Sequence, residues 1–180
     1  MRDLCSSPSG GRARDADTEA HVAYRPIGVL RSPHTEVAGM PIQPVGARGV
    51  AGHVEVAGEF IEGLLDLEHF SHVILIYHLH RIEGYDLQVL PFLDTKRHGI
   101  FATRSPKRPN AIGFSVLELA GVDHQSGHVL LRNVDILDGT PVLDIKPYVP
   151  AFDVWPAERI GWFAGKAEDA ETCKADERFR

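Results

Sequence analysis

The apolar positions of this chain fall in short, mostly alternating stretches separated by glycine, proline and Asp-Gly signals. That period of two, repeated at close spacing, predicts strands over 24–31, 53–56, 72–80, 99–103, 112–120, 128–134 and 142–148. The run over 72–80 is rich in β-branched residues and reads as a central strand. Only 59–69 carries a helical pattern, one or two turns with Phe60, Leu64 and Leu67 on a face. The expected fold is therefore mainly β, a small β-barrel with short helices and flexible termini. A doubly wound nucleotide-binding fold is disfavoured. No G-x-G-x-x-G follows a strand and no G-x-x-x-x-G-K-[ST] occurs.

The apolar pattern also sets the domain limits. Residues 1–21 are Ser-, Gly-, Arg- and Asp-rich and predict a disordered leader. Residues 22–163 hold the folded unit, and 164–180 form a charged tail, expected to be a frayed helix or a loose segment without chemistry. With 180 residues, 43% of them hydrophobic, there is material for one core. The longest apolar run, Val73 to Tyr77, is far short of the roughly 20 residues that span a bilayer. No secretory h-region appears in the first 25 residues. The two cysteines, Cys5 and Cys173, lie one in each tail, which argues against a disulfide, a zinc ligand set or a buried nucleophile. A reduced, cytoplasmic setting fits best.

Net charge is -6, against a protein that coats nucleic acid by bulk charge. The average hides an asymmetry. From Thr95 to Leu117 there are five basic residues (Lys96, Arg97, Arg104, Lys107, Arg108) and no acidic one. Within this stretch, Pro106 and Pro109 stiffen a loop that holds Arg104, Lys107, Arg108 and Asn110 as donors. Arginine offers a planar fork to carboxylate or phosphate, so an anion or nucleotide site is expected here; the alternative is a solvated basic turn.

A second candidate stretch runs from Asp135 to Tyr148. Asp138-Gly139 signals a turn, and the following strand is expected to place Val142, Asp144, Lys146 and Tyr148 on one face. Asp135, Asp138, Asp144 and Lys146 would crowd one strand end, or Asp144 and Lys146 form a simple surface ion pair. A third group, His69, His72, His78 and His80, puts His78 and His80 at a spacing that can chelate a metal. There is no cysteine partner and no H-E-x-x-H helix, and the expected metal complement is none.

The stretches F-A-T-R-S-P-K-R-P-N-A-I-G (101–113) and D-G-T-P-V-L-D-I-K-P-Y (138–148) together resemble the TrmO family, also called TsaA-like or YaeB-like. The resemblance runs from Ile27-Gly28-Val29-Leu30-Arg31-Ser32-Pro33 to near Trp162. It implies an S-adenosylmethionine-dependent methyltransferase built on a β-barrel, in a short form without the extra C-terminal domain of some bacterial members. It further implies tRNA as substrate, with methylation of the exocyclic nitrogen of threonylcarbamoyl-modified adenosine beside the anticodon. A homodimer with the site near the subunit interface is implied too, with neither membrane nor DNA as partner. The implied methyl-donor contacts are Pro41, Ile42, Gln43, His80, Arg81, Arg104, Phe114, Arg132, Asn133, Val134 and Asp135. Ile42 stands where an arginine is common, Arg81 where some members have a polar neutral residue, and Ala111 where R-P-N-P-I-G has its second proline.

Within that resemblance the candidate catalytic residues are Asp138, Asp144, Lys146 and Tyr148, and Asp135, Asp138 or Asp144 could take the acceptor's proton. Arg104, Lys107, Arg108 and Asn110 are candidate RNA contacts, and Phe101, Phe114 or Tyr148 could stack on an adenine. Val154, Trp155, Ile160 and Trp162 are candidate dimer anchors, or close the barrel core. Two other classes remain open: a metal-dependent hydrolase using His72, His78 and His80 with Asp135 or Asp138, and a non-catalytic module that binds cofactor or RNA.

Overall fold

The computed structural model describes residues 22–176 and residue 178; the leader expected over 1–21 lies outside them. Six antiparallel strands carry the chain's alternating apolar positions: β1 (Gly28–Arg31), β2 (Ala51–Val56), β3 (His72–His78), β6 (Ile112–Asp123), β7 (His128–Arg132) and β8 (Thr140–Pro147). They close as a barrel in the order β1-β2-β7-β6-β3-β8, with β1 pairing to both β2 and β8. Two short strands, β4 (Gln88–Val89) and β5 (His98–Gly99), form a separate ribbon.

Closure leaves no unpaired edge and turns one face of every strand inward. Leu30, Val54, Val73, Leu75, Leu117, Val129, Leu131 and Val142 fill the interior and are almost wholly shielded from solvent. Each such side chain contributes about 1.5–3 kcal/mol on burial. Between β2 and β3, the expected helical stretch forms 3-10 turns over Gly58–Leu64 and Leu67–His69. Asp66 between them adopts φ 68°, which stops one continuous helix. Leu64 is buried, and Phe60 and Leu67 pack on the core, as the pattern predicts.

Three expectations change. The strand expected over 99–103 is a strand only at His98–Gly99, followed by a 3-10 turn at Ile100–Ala102. Its partner is two residues long, and the Thr103 hydroxyl donates to the Ile100 carbonyl and fixes the turn instead. On β8 the alternation breaks: Ile76 faces Asp144 while Tyr77 faces Val142, so Leu143 is bulged. Val142 therefore points into the core, and Asp144 and Lys146 point outward as an exposed ion pair of 2.6 Å.

The charged tail is the third. It packs on the folded unit through a 3-10 turn at Ala167–Glu171, directly after the turn at Gly161–Phe163 that ends that unit. Trp162 stacks on His98 at 4.6 Å between ring centroids and donates its indole N–H to the Ala102 carbonyl. Lys166 reaches Asp94 at 2.8 Å, Ala170 is buried, and Ala175 exchanges backbone hydrogen bonds with Gly39 and Met40. Among the described residues, no helix is long and apolar enough to cross a membrane.

Candidate active site

At one end of the barrel β3 finishes, while β6 and β8 begin. Segments from six parts of the chain converge there over a cavity of about 1010 Å³. Its walls come from Met40–Val45 after β1, Tyr77 and Leu79–Ile82 at the end of β3, Ile112–Val116 at the start of β6, and Asp135–Leu137 after β7. Thr103–Pro106 and Arg108 of the proline-stiffened loop form another side. Trp162, Phe163, Ala167, Ala170 and Ala175 of the C-terminal segment close the last. The arginine loop and the aspartate-bearing segment thus meet over one hollow.

The wall is mostly apolar, with a few oriented polar groups, as a small-molecule site requires. Arg104 donates to Gln43 Oε1 at 2.8 Å, and its guanidinium lies 5.3 Å from the Phe114 ring centroid. Arg108 is spent on structure: its guanidinium donates to the carbonyls of Ile100 and Thr103. Ser105 lines the cavity with a buried hydroxyl oxygen that has no partner among the described residues. A buried polar atom of that kind is costly unless a ligand satisfies it.

The floor carries a three-membered relay. Ser115 Oγ donates to Asp135 Oδ1 at 2.9 Å, and Tyr77 OH lies 3.1 Å from Ser115 Oγ. A serine has one hydroxyl proton, so while Ser115 serves the carboxylate, Tyr77 must donate to Ser115. Burial raises the Asp135 carboxyl to about 6, against the opposing pull of Ser115 and Arg104. Burial likewise raises the Tyr77 phenol, with the Asp135 charge adding to it. His80 lies on the same rim. Partial burial and the charges of Arg81 and His78 lower its pKa, and its Nδ1 is 3.4 Å from Thr140 Oγ1. The Thr140 hydroxyl proton goes to the Leu137 carbonyl, which leaves the oxygen to accept from His80.

Of the residues implied as donor contacts, Pro41, Ile42, Gln43, His80, Arg81, Arg104, Phe114 and Asp135 line this cavity. Arg132, Asn133 and Val134 do not. Arg132 faces Glu118, and Val134 is core. Asn133 adopts φ 62° and accepts the Gly49 N–H, a backbone brace. The four candidate catalytic residues also lie elsewhere. Asp138 accepts the Ser32 N–H, Asp144 and Lys146 pair with each other outside, and Tyr148 packs edge-on to His72. Lys107 is half-buried and Asn110 exposed on the same loop, outside the cavity wall. Phe101 is exposed beneath Arg108. His72 and His78 end a seven-residue strand at opposite ends, about 20 Å apart, so they cannot share a metal.

Sequence reasoning missed Tyr77, Ser105, Ser115, Thr140 and the C-terminal wall. Ser115 had a signal. It occupies the same strand face as the buried Leu117, and an inward hydroxyl there requires a partner.

With this geometry in place, the comparison with known proteins is decisive. The tRNA-methyltransferase O N-terminal domain family matches residues 29–154. The chain belongs to that family. A probable S-adenosyl-L-methionine-binding protein of Pyrococcus abyssi is 51% identical over 158 residues, 88% of this chain and 85% of the relative. The tRNA (adenine(37)-N6)-methyltransferase of Escherichia coli K12 is 36% identical over 141 residues, 74% of this chain and 60% of that enzyme. The crystal structure of TrmO from Pseudomonas aeruginosa superposes with a TM-score of 0.66 at 39% identity, covering 79% of this chain and 62% of that one. The chain thus spans most of the archaeal relative but about three-fifths of the two bacterial proteins. The cavity's C-terminal wall, from Ile160 onward, lies beyond the family match.

Proposed function

We propose that this chain is an S-adenosylmethionine-dependent tRNA methyltransferase acting on the exocyclic nitrogen of an adenosine, with the methyl donor held in the cavity at the end of the barrel. The observation that carries this reading is the meeting of Arg104, the unpartnered Ser105 hydroxyl and the raised Asp135 carboxyl in one hollow, in a chain of this family. The residues suit the donor: a guanidinium for its carboxylate, hydroxyl and amide groups for its ribose, and apolar walls for its base. S-adenosylmethionine, when bound, supplies an electrophilic methyl carbon on a positively charged sulfur.

The chain's own contribution is placement, charge and a proton acceptor. Arg104, held by Gln43 and Phe114, would bind the donor carboxylate and fix its orientation. Leu79, Leu137, Phe163 and Trp162 exclude water. Asp135 would take the proton lost by the acceptor nitrogen as the new N–C bond forms. A pKa of about 6 leaves it mostly ionised at neutral pH yet basic enough to accept. Ser115 and Tyr77 hold its geometry.

The substrate is further proposed to be threonylcarbamoyl-modified adenosine, whose carbamoyl withdraws electron density from the nitrogen and makes a positioned base useful. Lys107 and Asn110, on the same loop as Arg104, would meet RNA phosphates, and a cytoplasmic setting is proposed with that substrate. We also propose that two copies pair through Phe152, Val154, Trp155 and Ile160, exposed apolar side chains that do not enter the core. Light scattering on the wild type and Trp155→Glu tests this, with pairing expected in the first and lost in the second.

The deciding experiment is labelled-methyl transfer to tRNA carrying or lacking the threonylcarbamoyl group, with nucleosides resolved by mass spectrometry. Label on the modified adenosine alone is expected. Donor binding without transfer to either pool would favour a binding module instead.

A further inference from the structure

On the outer wall of the barrel, His53, Glu55 and His128 form a cluster that the methyl-transfer reading does not use. None of the three lines the cavity. His53 and Glu55 are two residues apart on β2 and so share a face, and Glu55 lies directly opposite His128 on β7. One ligand atom from each comes within 4.8 Å of the other two. The imidazole rings are 4.9 Å apart between centroids, and all three side chains are half-buried.

The carboxylate is divided between two tasks. Glu55 Oε2 accepts from Arg31 Nε at 3.0 Å, while Oε1 turns toward His53 Nε2 at 3.7 Å. Arg31 thus anchors one oxygen and leaves the other facing the imidazoles. That is how an outer partner orients a ligating carboxylate. The other charged group facing the cluster is Asp123, opposite His128 on β6. Its oxygens are taken by Ser126 and Gln125. It adds negative charge nearby without competing for the site.

We propose that His53, Glu55 and His128 bind a divalent transition metal of the zinc class, joining β2 to β7 on the barrel wall away from the reaction. Two neutral imidazoles and one carboxylate oxygen are a donor set for zinc, nickel, cobalt or copper rather than for magnesium or calcium. Ligand atoms about 2.1 Å from one tetrahedral ion are about 3.4 Å apart, so small side-chain rotations must close the cluster. Three protein ligands leave a coordination position for water. The metal's effect is then on the stability of the wall, not on methyl transfer.

Zinc titration of tag-free, full-length protein by calorimetry tests this. One zinc per chain is expected, with affinity about 100-fold weaker in His128→Ala and in Glu55→Gln. Magnesium should give no heat, and methyl transfer should be unchanged in both variants. Paramagnetic cobalt should broaden the His53 and His128 imidazole resonances before those of the other histidines, a readout that needs no variant. Absence of zinc binding to the wild type would overturn the proposal, as would stoichiometric binding that survives His128→Ala or cobalt broadening centred elsewhere.

Discussion

The Tyr77 ring lies across Gly113, its directly opposite partner on the neighbouring strand, so closely that a Cβ at residue 113 would clash with the ring at its Cε2. The glycine is a seat for the aromatic ring, and that ring's hydroxyl begins the relay to Ser115 and Asp135. The A-I-G-F-S stretch therefore positions the carboxylate indirectly. Gly113→Ala should displace Tyr77, lower stability by about 1–3 kcal/mol and reduce methyl transfer. Denaturant unfolding and single-turnover transfer check the two effects together.

Asp135 should show opposite effects on activity and stability. Its raised pKa means that the folded state holds a proton more tightly than the unfolded chain. Stability tied to this group is therefore present below the unfolded value near 4 and lost as pH rises through about 6. Asp135→Asn removes the buried charge and still accepts from Ser115. It should be more stable than wild type at pH 8, by on the order of 2–3 kcal/mol, and no more stable at pH 4. Methyl transfer should fall at least about 100-fold while donor binding survives, and the wild-type rate should rise with pH through about 6. Thermal melts at two pH values and a pH–rate profile are the measurements.

The basic loop should separate into parts. Arg104→Ala should weaken donor binding by about tenfold or more, because it removes a charged fork that Gln43 and Phe114 hold in place. Lys107→Ala should leave donor binding intact and lower the slope of log affinity for tRNA against log salt by about 0.7–0.9. Arg108→Ala should instead destabilise the loop, since its guanidinium bonds two backbone carbonyls. Donor calorimetry, salt-dependent tRNA binding and thermal melts distinguish the three.

The C-terminal wall depends on a few contacts. Asp94, held far below the usual carboxylate range by Lys166 and then by His98, ties the tail to the loop before β5. A depressed carboxyl stabilises above its unfolded pKa, so this docking should persist at pH 5 and loosen only below about pH 4. Lys166→Met with Trp162→Ala should expose the amides of 161–175 to hydrogen exchange and weaken donor binding, leaving barrel amides protected.

The barrel was legible because burial on one face enforces alternation, and β2, β3, β6 and β7 all show it. The bulge at Leu143 was not, because a single extra residue is set by the partner strand rather than by local composition. That slip turns Asp144 and Lys146 outward, while Asp135, before the hairpin, stays in the cavity. The tail was opaque for another reason. It docks through small alanines and one lysine, beside Trp162 at the end of the folded unit, and looks like a solvated segment until Asp94 is brought opposite Lys166 and Ala102 opposite Trp162. The arginine loop was legible because two prolines beside three cations limit what the chain can do there.

The most direct test of the account is a crystal structure of this protein with S-adenosylhomocysteine, the product left after methyl loss. The ligand is expected at the end of the barrel, with its carboxylate on Arg104 and its sulfur facing the Asp135 side. Density instead in the cleft lined by Arg31, His53 and Arg132, with the Arg104–Asp135 hollow empty, would contradict it.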